Sequence, residues 1–232
     1  MIREIIFDTE TTGFKPEEGH KIVEIGAIEM INYLPTGRHY HVYLNPERPI
    51  PAEATAIHGI TDEMVKDKPV FSQEFTNFLD FICTDSKLVA HNATFDMQFL
   101  NYELKQVGHP GIKNNRVIDS LEVARRKFPG APANLDALCR RFDIDLSARE
   151  LHGALLDAEL LGSVWLELNG GRQHGLDIGQ NGAGEAAGAQ NKIERPYRAP
   201  RVFDIPEEEK AAHAALLEKL KEPLWKKTAD SV

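Results

Sequence analysis

The sequence has few of the features that mark secreted or membrane proteins. Its 232 residues include only two cysteines, Cys83 and Cys139. Their spacing fits no zinc site. A domain of this size also does not need a disulfide for stability. No apolar run approaches the roughly 20 residues that cross a bilayer, and acidic residues occur too early for a signal peptide. We therefore expect a reduced, cytoplasmic protein without a membrane partner.

The chain also lacks an excess of positive charge. Its formal net charge is −9, whereas a protein that holds nucleic acid mainly by neutralising phosphates is basic. Before Asn169 there are 26 acidic and 17 basic residues, and from Asn169 onward there are ten of each. This distribution excludes an autonomous electrostatic DNA binder, but it does not exclude an enzyme that acts on DNA.

Hydrophobic patterning predicts an α/β protein with a mixed sheet covered by helices. Three strands come first, and strands then alternate with helices. The predicted strands are 2–9, 22–31, 39–44, 88–90 and 117–118, and the predicted helices are 71–82, 92–107, 121–128, 135–142 and 153–168.

The composition changes after Leu168. Residues 170–188 contain seven of the 17 glycines, which predicts a flexible linker. Acids followed by lysines predict a further helix over 207–222. A narrow apolar stripe with Trp225 close by indicates that this segment binds a partner; the stripe consists of Leu217, Leu220 and Leu224.

Four acidic residues and a histidine stand where elements begin or end. Asp8 and Glu10 end an apolar strand on the same face, where a hard divalent cation would offset their repulsion. Asp96 begins a helix directly after a buried strand, a usual place for a site in α/β sheets. His152, which could accept a proton near neutral pH, precedes Asp157 in a segment of small and apolar residues. Alone, each of these residues is also explained by a solvated strand end or a helix start.

Eight stretches among the first 168 residues together carry a family pattern. Through them the sequence resembles the DEDDh (DnaQ-like) 3′–5′ exonucleases, and within that family most closely the epsilon proofreading subunits of bacterial DNA polymerase III. The stretches are FDTETTG (7–13), EGHKIVEIGAIE (18–29), HVYLNP (41–46), HGITDE (58–63), HNATFD (91–96), VIDSLEVARRKFPG (117–130), NLDALCRRF (134–142) and LHGALLDAELL (151–161).

The resemblance implies a ribonuclease H-like sheet flanked by helices and two-metal hydrolysis at the 3′ end of DNA, with release of deoxynucleoside 5′-monophosphates. Asp8, Glu10 and Asp157 would ligate the first of two divalent cations, Mg²⁺ or Mn²⁺. Asp8 would bridge to the second cation with support from Asp96, and His152 would be the general base. The two ions would stabilise the attacking and departing oxygens.

The resemblance also implies contacts with the substrate. Asp8, Glu10 and Asp157 would bind the terminal phosphate together with the metals. Glu53 would meet the 3′-terminal nucleotide, and His58 would lie beside the scissile end. From the residues alone, Glu53 could equally be a surface acid, and His58 could be an ordinary turn residue.

Three regions with different partners are expected. They are an exonuclease domain over 1–169, a linker over 170–192 and a polymerase-binding helical tail over 193–232. The tail would bind the alpha subunit of DNA polymerase III, and a theta-like small subunit is a further expected partner. The linker carries a weak match to a beta-clamp-binding motif in Gln173, Leu176 and Ile178. Such a protein would work at the replisome, in the nucleoid.

Two other functions remain open at this point. One is a DEDDh nuclease that acts on RNA ends with the same metals, although such an enzyme would not need a tether and a docking helix. The other is an interaction subunit that mainly stabilises a polymerase. The complete carboxylate set argues against an inactive scaffold, but not against a dual role.

Overall fold

A five-stranded mixed sheet forms the centre of the first part of the chain. The computed structural model describes residues 2–149, 151–171 and 205–219. The sheet order is β3-β2-β1-β4-β5; β1, β2 and β3 are antiparallel neighbours, whereas β4 and β5 run parallel to β1. The strands are β1 (Arg3–Thr11), β2 (Ile22–Ile31), β3 (Leu34–Tyr43), β4 (Lys87–Ala90) and β5 (Val117–Asp119).

Helices cover both faces of this sheet, which confirms the predicted α/β architecture. They are α1 (Ala52–His58), α2 (Asp62–Val65), α3 (Phe71–Ile82), α4 (Ala93–Gln106), α5 (Ser120–Lys127), α6 (Leu135–Arg141) and α7 (Ala154–Leu168). Helix α8 (Glu207–Lys219) belongs to a second unit of the chain. It confirms the described part of the predicted tail helix, while residues from 220 onward lie outside the described ranges.

The alternation of side chains along β1 divides the core in two. Ile5 and Phe7 belong to a cluster with α3 and α4, which includes Phe78 and Phe99. Ile6 points to the other face and belongs to a cluster with α5, α6 and α7. Even-numbered residues of β1 therefore face α7, and odd-numbered residues face α4.

The β2–β3 hairpin corrects one predicted boundary. Strand β3 begins at Leu34 rather than at residue 39, because Ile31 pairs with Leu34 across a two-residue turn. Asn32 and Tyr33 in this turn both have positive φ, 50° and 67°, as a tight type I′ hairpin requires. The first residues of β3 are exposed, so they carry no apolar alternation that would have revealed the strand.

Helices α1 and α2 are not among the predicted elements. They are only seven and four residues long, and they follow a proline-rich segment that interrupts the local pattern. Packing holds them in place, because Ala54 of α1 and Val65 of α2 form a small buried cluster with Val23 of β2. Helix α1 matters for the site, because it carries Glu53 and His58.

Both cysteines lie within the described part of the chain. Cys83 is exposed, Cys139 is buried, and both are free thiols. None of the helices formed by the described residues has the length and apolarity of a membrane span.

Candidate active site

The end of β1 supplies two carboxylates to the α7 face of the sheet. Asp8 and Glu10 are two and four residues after Ile6, so their side chains point to the same face of the sheet as Ile6. In the pairing with β2, Asp8 lies opposite Gly26 and Glu10 lies opposite Glu24. The register shifts directly after Glu10, so the strand pairing is irregular at the residue that follows the second acid. The local sequence thus places two acids side by side at the carboxyl end of a central strand.

Asp96 reaches the same edge from the first turn of α4. Because β4 runs parallel to β1, the helix that follows β4 begins at the edge where β1 ends. The buried Asp96 carboxylate accepts hydrogen bonds from the Thr9 backbone N–H at 3.1 Å and from the Thr9 hydroxyl at 2.7 Å. Thr9, which points to the α4 face, therefore ties Asp96 to the strand segment between Asp8 and Glu10.

A close approach between β2 and α7 brings in Asp157. A Cβ atom on Gly26 would lie 2.1 Å from the Leu155 backbone nitrogen and 2.2 Å from the Ala154 carbonyl carbon, so only glycine fits there. The Ala154 N–H also donates to Glu24 Oε2 at 3.0 Å. The first turn of α7 is thus held against the sheet, and Asp157 in that turn is buried at 3% exposure.

His152 lies just before α7, at the open side of this cluster. Its side chain is half exposed, and its backbone N–H donates to the Ile57 carbonyl of α1 at 3.1 Å. Candidate ligand atoms of Glu10, His152 and Asp157 all lie within 4.8 Å of one another. The structure therefore brings together all five residues that the resemblance assigns to catalysis and metal binding.

The acid cluster carries negative charge that the described side chains offset only in part. Burial, reinforced by the charge of Asp96, raises the pKa of Asp8 well above its usual value. Burial and then the charges of Asp157 and Glu24 raise the pKa of Glu10 to about 8. Burial also raises the pKa of Asp96, despite the hydrogen bonds from Thr9. Crowded carboxylate oxygens beside an imidazole are a donor set that suits hard divalent cations, so the residues fit the metals that the family implies.

Two adjoining clefts open beside these side chains. One, of about 500 Å³, is lined by Asp8, Glu10, Asp96, His152 and Asp157, together with polar residues of the α5–α6 region and Arg149. The other, of about 380 Å³, has mainly apolar walls and shares Thr9, Glu10 and Phe95 with the first. A charged compartment next to an apolar one could take the phosphate and the terminal nucleoside of a strand end.

Glu53 and His58 line the apolar cleft, on α1. Glu53 is exposed at its rim, whereas His58 is buried at 6% exposure. Burial lowers the pKa of His58, and its Nδ1 accepts the Ile60 N–H at 3.0 Å. Its Nε2 is buried and has no hydrogen-bond partner within residues 2–149, 151–171 and 205–219, so His58 keeps an unused polar atom beside the cleft.

The sequence-based predictions omit several residues of the site, among them Arg149 and Glu24. Arg149 lies within hydrogen-bond distance of both His152 and Asp157, and Glu24 anchors α7 through Ala154 while its other oxygen lies 2.7 Å from His41 Nε2. An acid inside the apolar strand β2 was an available signal for Glu24. For Arg149 the only signal was its position three residues before His152.

The predicted clamp-binding residues Gln173, Leu176 and Ile178 lie outside the described residues, as do residues 172–204 of the predicted linker and tail. Their roles remain predictions.

Residues 5–164 match the family model described as Exonuclease. The chain belongs to the exonuclease family. Among curated exonuclease-family relatives, the DNA polymerase III subunit epsilon of Rickettsia felis is 57% identical over 175 residues, covering 74% of this chain and 76% of that protein. The same subunit of Salmonella typhimurium is 45% identical over 228 residues, covering 94% of this chain and 93% of that protein.

A solved structure of another exonuclease agrees with this assignment. Exonuclease X in complex with 5′ overhanging duplex DNA is 30% identical, with a TM-score of 0.55, over 72% of this chain and 90% of that one. The expected membership in the DEDDh exonucleases, close to the epsilon subunits, is thereby confirmed. The predicted ribonuclease H-like exonuclease fold is confirmed as well.

Proposed function

We propose that this chain is the proofreading 3′–5′ exonuclease subunit of a bacterial replicative DNA polymerase. It removes mismatched 3′-terminal nucleotides from DNA as deoxynucleoside 5′-monophosphates. One observation carries the proposal: Asp8, Glu10, Asp96, His152 and Asp157 converge on one cleft. The chain that builds this cleft is similar over nearly its whole length to an epsilon subunit.

Four carboxylates would hold two divalent cations, Mg²⁺ or Mn²⁺, in the charged cleft. Asp8, Glu10 and Asp157 form one ligand set, and Asp8 with Asp96 forms the other. When bound, such ions supply electrostatic stabilisation to an in-line displacement at phosphorus. Thr9 keeps Asp96 in position through its two hydrogen bonds, and Glu24 keeps the first turn of α7, which carries Asp157, against the sheet.

His152 is the residue that takes the proton from the attacking water. It is the only imidazole among these five residues, and its half-exposed side chain lies at the open side of the cleft, where water can reach it. Its backbone is fixed to α1 through Ile57, while its ring lies at the edge of the carboxylates. The imidazole can therefore accept a proton at the cleft and pass it on to solvent.

The apolar cleft would hold the nucleoside of the strand end. Glu53 lies at its rim, where a carboxylate can accept a hydrogen bond from the 3′-hydroxyl group. The unpaired Nε2 of His58 can make a polar contact close to the scissile end. Phe95 borders both clefts, so it separates the nucleoside position from the phosphate position.

Attachment to the replicase would come from the last quarter of the chain. Residues 193–232 would bind the polymerase subunit, residues 170–192 would act as the tether, and Gln173, Leu176 and Ile178 would make a weak contact with the sliding clamp. A theta-like subunit is a further proposed partner. A tether raises the local concentration of the nuclease at the polymerase, so the acidic catalytic domain need not bind DNA tightly by itself.

The catalytic part of this proposal is tested with a 5′-labelled primer that ends in a 3′ mismatch, in the presence of Mg²⁺ or Mn²⁺. The wild-type chain should shorten the primer one nucleotide at a time from its 3′ end. Asp8→Ala should abolish this activity, whereas substitution of the exposed Asp80 by alanine should leave it unchanged. Equal shortening by Asp8→Ala and wild type would refute the assignment of the site, and faster shortening of RNA than of DNA would refute the assignment of the substrate.

A further inference from the structure

Arg149 places a positive charge inside the acid cluster, in a position that the proposed catalytic roles do not use. Its Nε donates to Asp157 Oδ1 at 2.6 Å, and its Nη2 donates to Asp157 Oδ2 at 2.7 Å. Nη1 donates to Asp136 Oδ1 at 2.6 Å. The side chain is only 11% exposed, so this is a bidentate pair largely removed from solvent, which is the strong form of an arginine–carboxylate contact.

The same guanidinium also reaches the proposed general base. Arg149 Nη2 lies 3.1 Å from His152 Nδ1. Candidate ligand atoms of Glu10, His152 and Asp157 lie within 4.8 Å of one another, and Nη2 contacts two of these three residues.

A guanidinium and a divalent cation cannot both occupy this position at low cost. Two cations in contact with the same carboxylate repel each other, and the repulsion is strong where solvent is largely excluded. Asp157 also uses both oxygens for Arg149. Arg149 is in the segment between α6 and α7, outside any helix, so its side chain can leave without unwinding one.

We propose that Arg149 is a positioning residue that stands in for the metal: it neutralises Asp157 and holds His152 in the metal-free protein, and a divalent cation displaces it. This inference rests on the proposed metal site. Displacement of Arg149 would move the guanidinium away from both ring nitrogens of His152, which its Nη2 approaches at 3.1 Å (Nδ1) and 3.5 Å (Nε2). The general base is therefore free only in the loaded enzyme.

The test is a Mn²⁺ titration followed by electron paramagnetic resonance, with the full-length chain and no DNA. Arg149→Ala and Arg149→Gln remove the competing charge, so both should bind the first Mn²⁺ about tenfold more tightly than the wild type. Arg149→Lys keeps the positive charge but lacks the bidentate fork. Its Mn²⁺ affinity should therefore lie between that of the wild type and that of the Ala and Gln variants. Arg140→Ala is the matched control, because Arg140 is exposed and its one ion pair among the described residues is with Asp136, at 3.9 Å. It should leave the Mn²⁺ affinity unchanged.

Thermal melts give a second measurement that does not depend on activity. Without metal, Arg149→Ala should melt at a lower temperature than the wild type. Saturating Mn²⁺ should raise the melting temperature of the variant by more than it raises that of the wild type. Unchanged or weaker Mn²⁺ binding by the folded Ala and Gln variants would overturn the inference, because Arg149 would then orient Asp157 for the metal. Absence of Mn²⁺ binding by the wild type would instead refute the metal site itself.

Discussion

Glu10 shows most clearly how the site weakens the fold that carries it. The residue is 8% exposed, and its carboxyl group faces the charges of Asp157, Glu24 and Asp96, with Arg149 as the opposing charge. A side chain kept in such surroundings contributes to function at the expense of stability in the metal-free state. The cluster is therefore the part of the molecule where stability should depend most on pH and on metal.

The pH dependence has a defined sign. The pKa of Glu10 rises from 4.5 to about 8 on folding, so between these values the folded protein keeps a proton that the unfolded chain has lost. In EDTA, the free energy of unfolding should therefore fall as the pH rises from 4.5 to 8, by on the order of 2–4 kcal/mol. Urea unfolding at several pH values measures it.

Glu10→Gln isolates this effect from that of His58, whose lowered pKa acts in the opposite direction. The variant should show a shallower decline, because the raised pKa values of Asp8 and Asp96 also contribute to the loss of stability with rising pH. It should be more stable than the wild type at pH 8 in EDTA. Parallel pH profiles for the variant and the wild type would contradict the electrostatic description of the cluster.

His152 is assigned proton transfer rather than metal binding, and the two roles predict different phenotypes. His152→Gln should reduce the rate of hydrolysis by about 10²–10⁴-fold, with Mn²⁺ affinity close to that of wild type. Single-turnover digestion and a Mn²⁺ titration on the same preparation separate the two quantities. A large loss of Mn²⁺ affinity would make His152 a ligand instead.

Sequence reasoning could find these residues because their positions together match the family pattern, although each position alone also has an ordinary structural explanation. Asp8 and Glu10 interrupt an apolar strand, and Asp96 and Asp157 stand in the first turns of helices. Arg149 could not be found in this way, because its contacts depend on the path that the segment between α6 and α7 takes past the cleft. Sequence does not specify that path. A charged residue in a polar connecting segment looks the same in sequence whether it faces solvent or a carboxylate.

The junction of β2 with α7 is the element-scale feature that builds the site. Gly26 lies opposite Asp8 and against the backbone of Ala154 and Leu155. The absence of a side chain at Gly26 therefore sets how closely α7, which carries Asp157, approaches Asp8. The sequence predicted both elements, but not this contact, since periodicity says which face of a strand is buried and not how closely a helix approaches it.

Gly26→Ala should therefore damage both stability and activity. The added methyl group meets backbone atoms that cannot rotate away, so we expect a loss of about 2–4 kcal/mol in unfolding free energy. Exonuclease activity should fall even in the fraction that remains folded, because Asp157 moves with α7. Urea unfolding and the mismatch digestion assay measure the two effects.

Gly153→Ala is the matched control at the same junction. Nothing lies within 4 Å of a Cβ at Gly153, and its φ of −154° suits any residue, so its cost should stay below about 1 kcal/mol. Equal destabilisation by the two substitutions would mean that the close contact at Gly26 does not hold α7 in place.

At the scale of the whole molecule, the proposed recruitment to a polymerase accounts both for the acidic charge of the first part of the chain and for the neutral charge of the last part. The excess of negative charge lies before Asn169, in the part that builds the carboxylate cluster, while the remainder is neutral. A domain of this kind gains little affinity for DNA from electrostatics. We therefore propose that a polymerase subunit, bound through residues 193–232, delivers the substrate.

Deletion of residues 170–232 should accordingly separate catalysis from recruitment. The shortened chain retains β1–β5 and α1–α7, so it should hydrolyse single-stranded DNA at the wild-type rate. It should no longer be captured by the polymerase subunit in a pull-down assay. Loss of hydrolysis in a folded truncation would place the boundary of the catalytic domain further along the chain.

The fold and the family were predictable on this scale, because eight stretches spread over the first 168 residues each match the family pattern. The attachment of the last quarter was predicted from composition and from one helix with a narrow apolar stripe. Composition and a short helix suggest a tether and a docking segment, but they do not say which residues of a partner the segment would contact. The assignment of partners therefore stays a proposal.

Proofreading itself is best measured with the reconstituted polymerase subunit, a 3′-mismatched primer–template, Mg²⁺ and all four deoxynucleoside triphosphates. With the wild-type chain, the mismatched nucleotide should be released as a 5′-monophosphate before extension, and the full-length product should carry the correct base. With Asp8→Ala, the product should retain the mismatch or fail to form, although the polymerase subunit still binds the chain. Removal of the mismatch at the wild-type rate by Asp8→Ala would show that this carboxylate cluster is not the proofreading site.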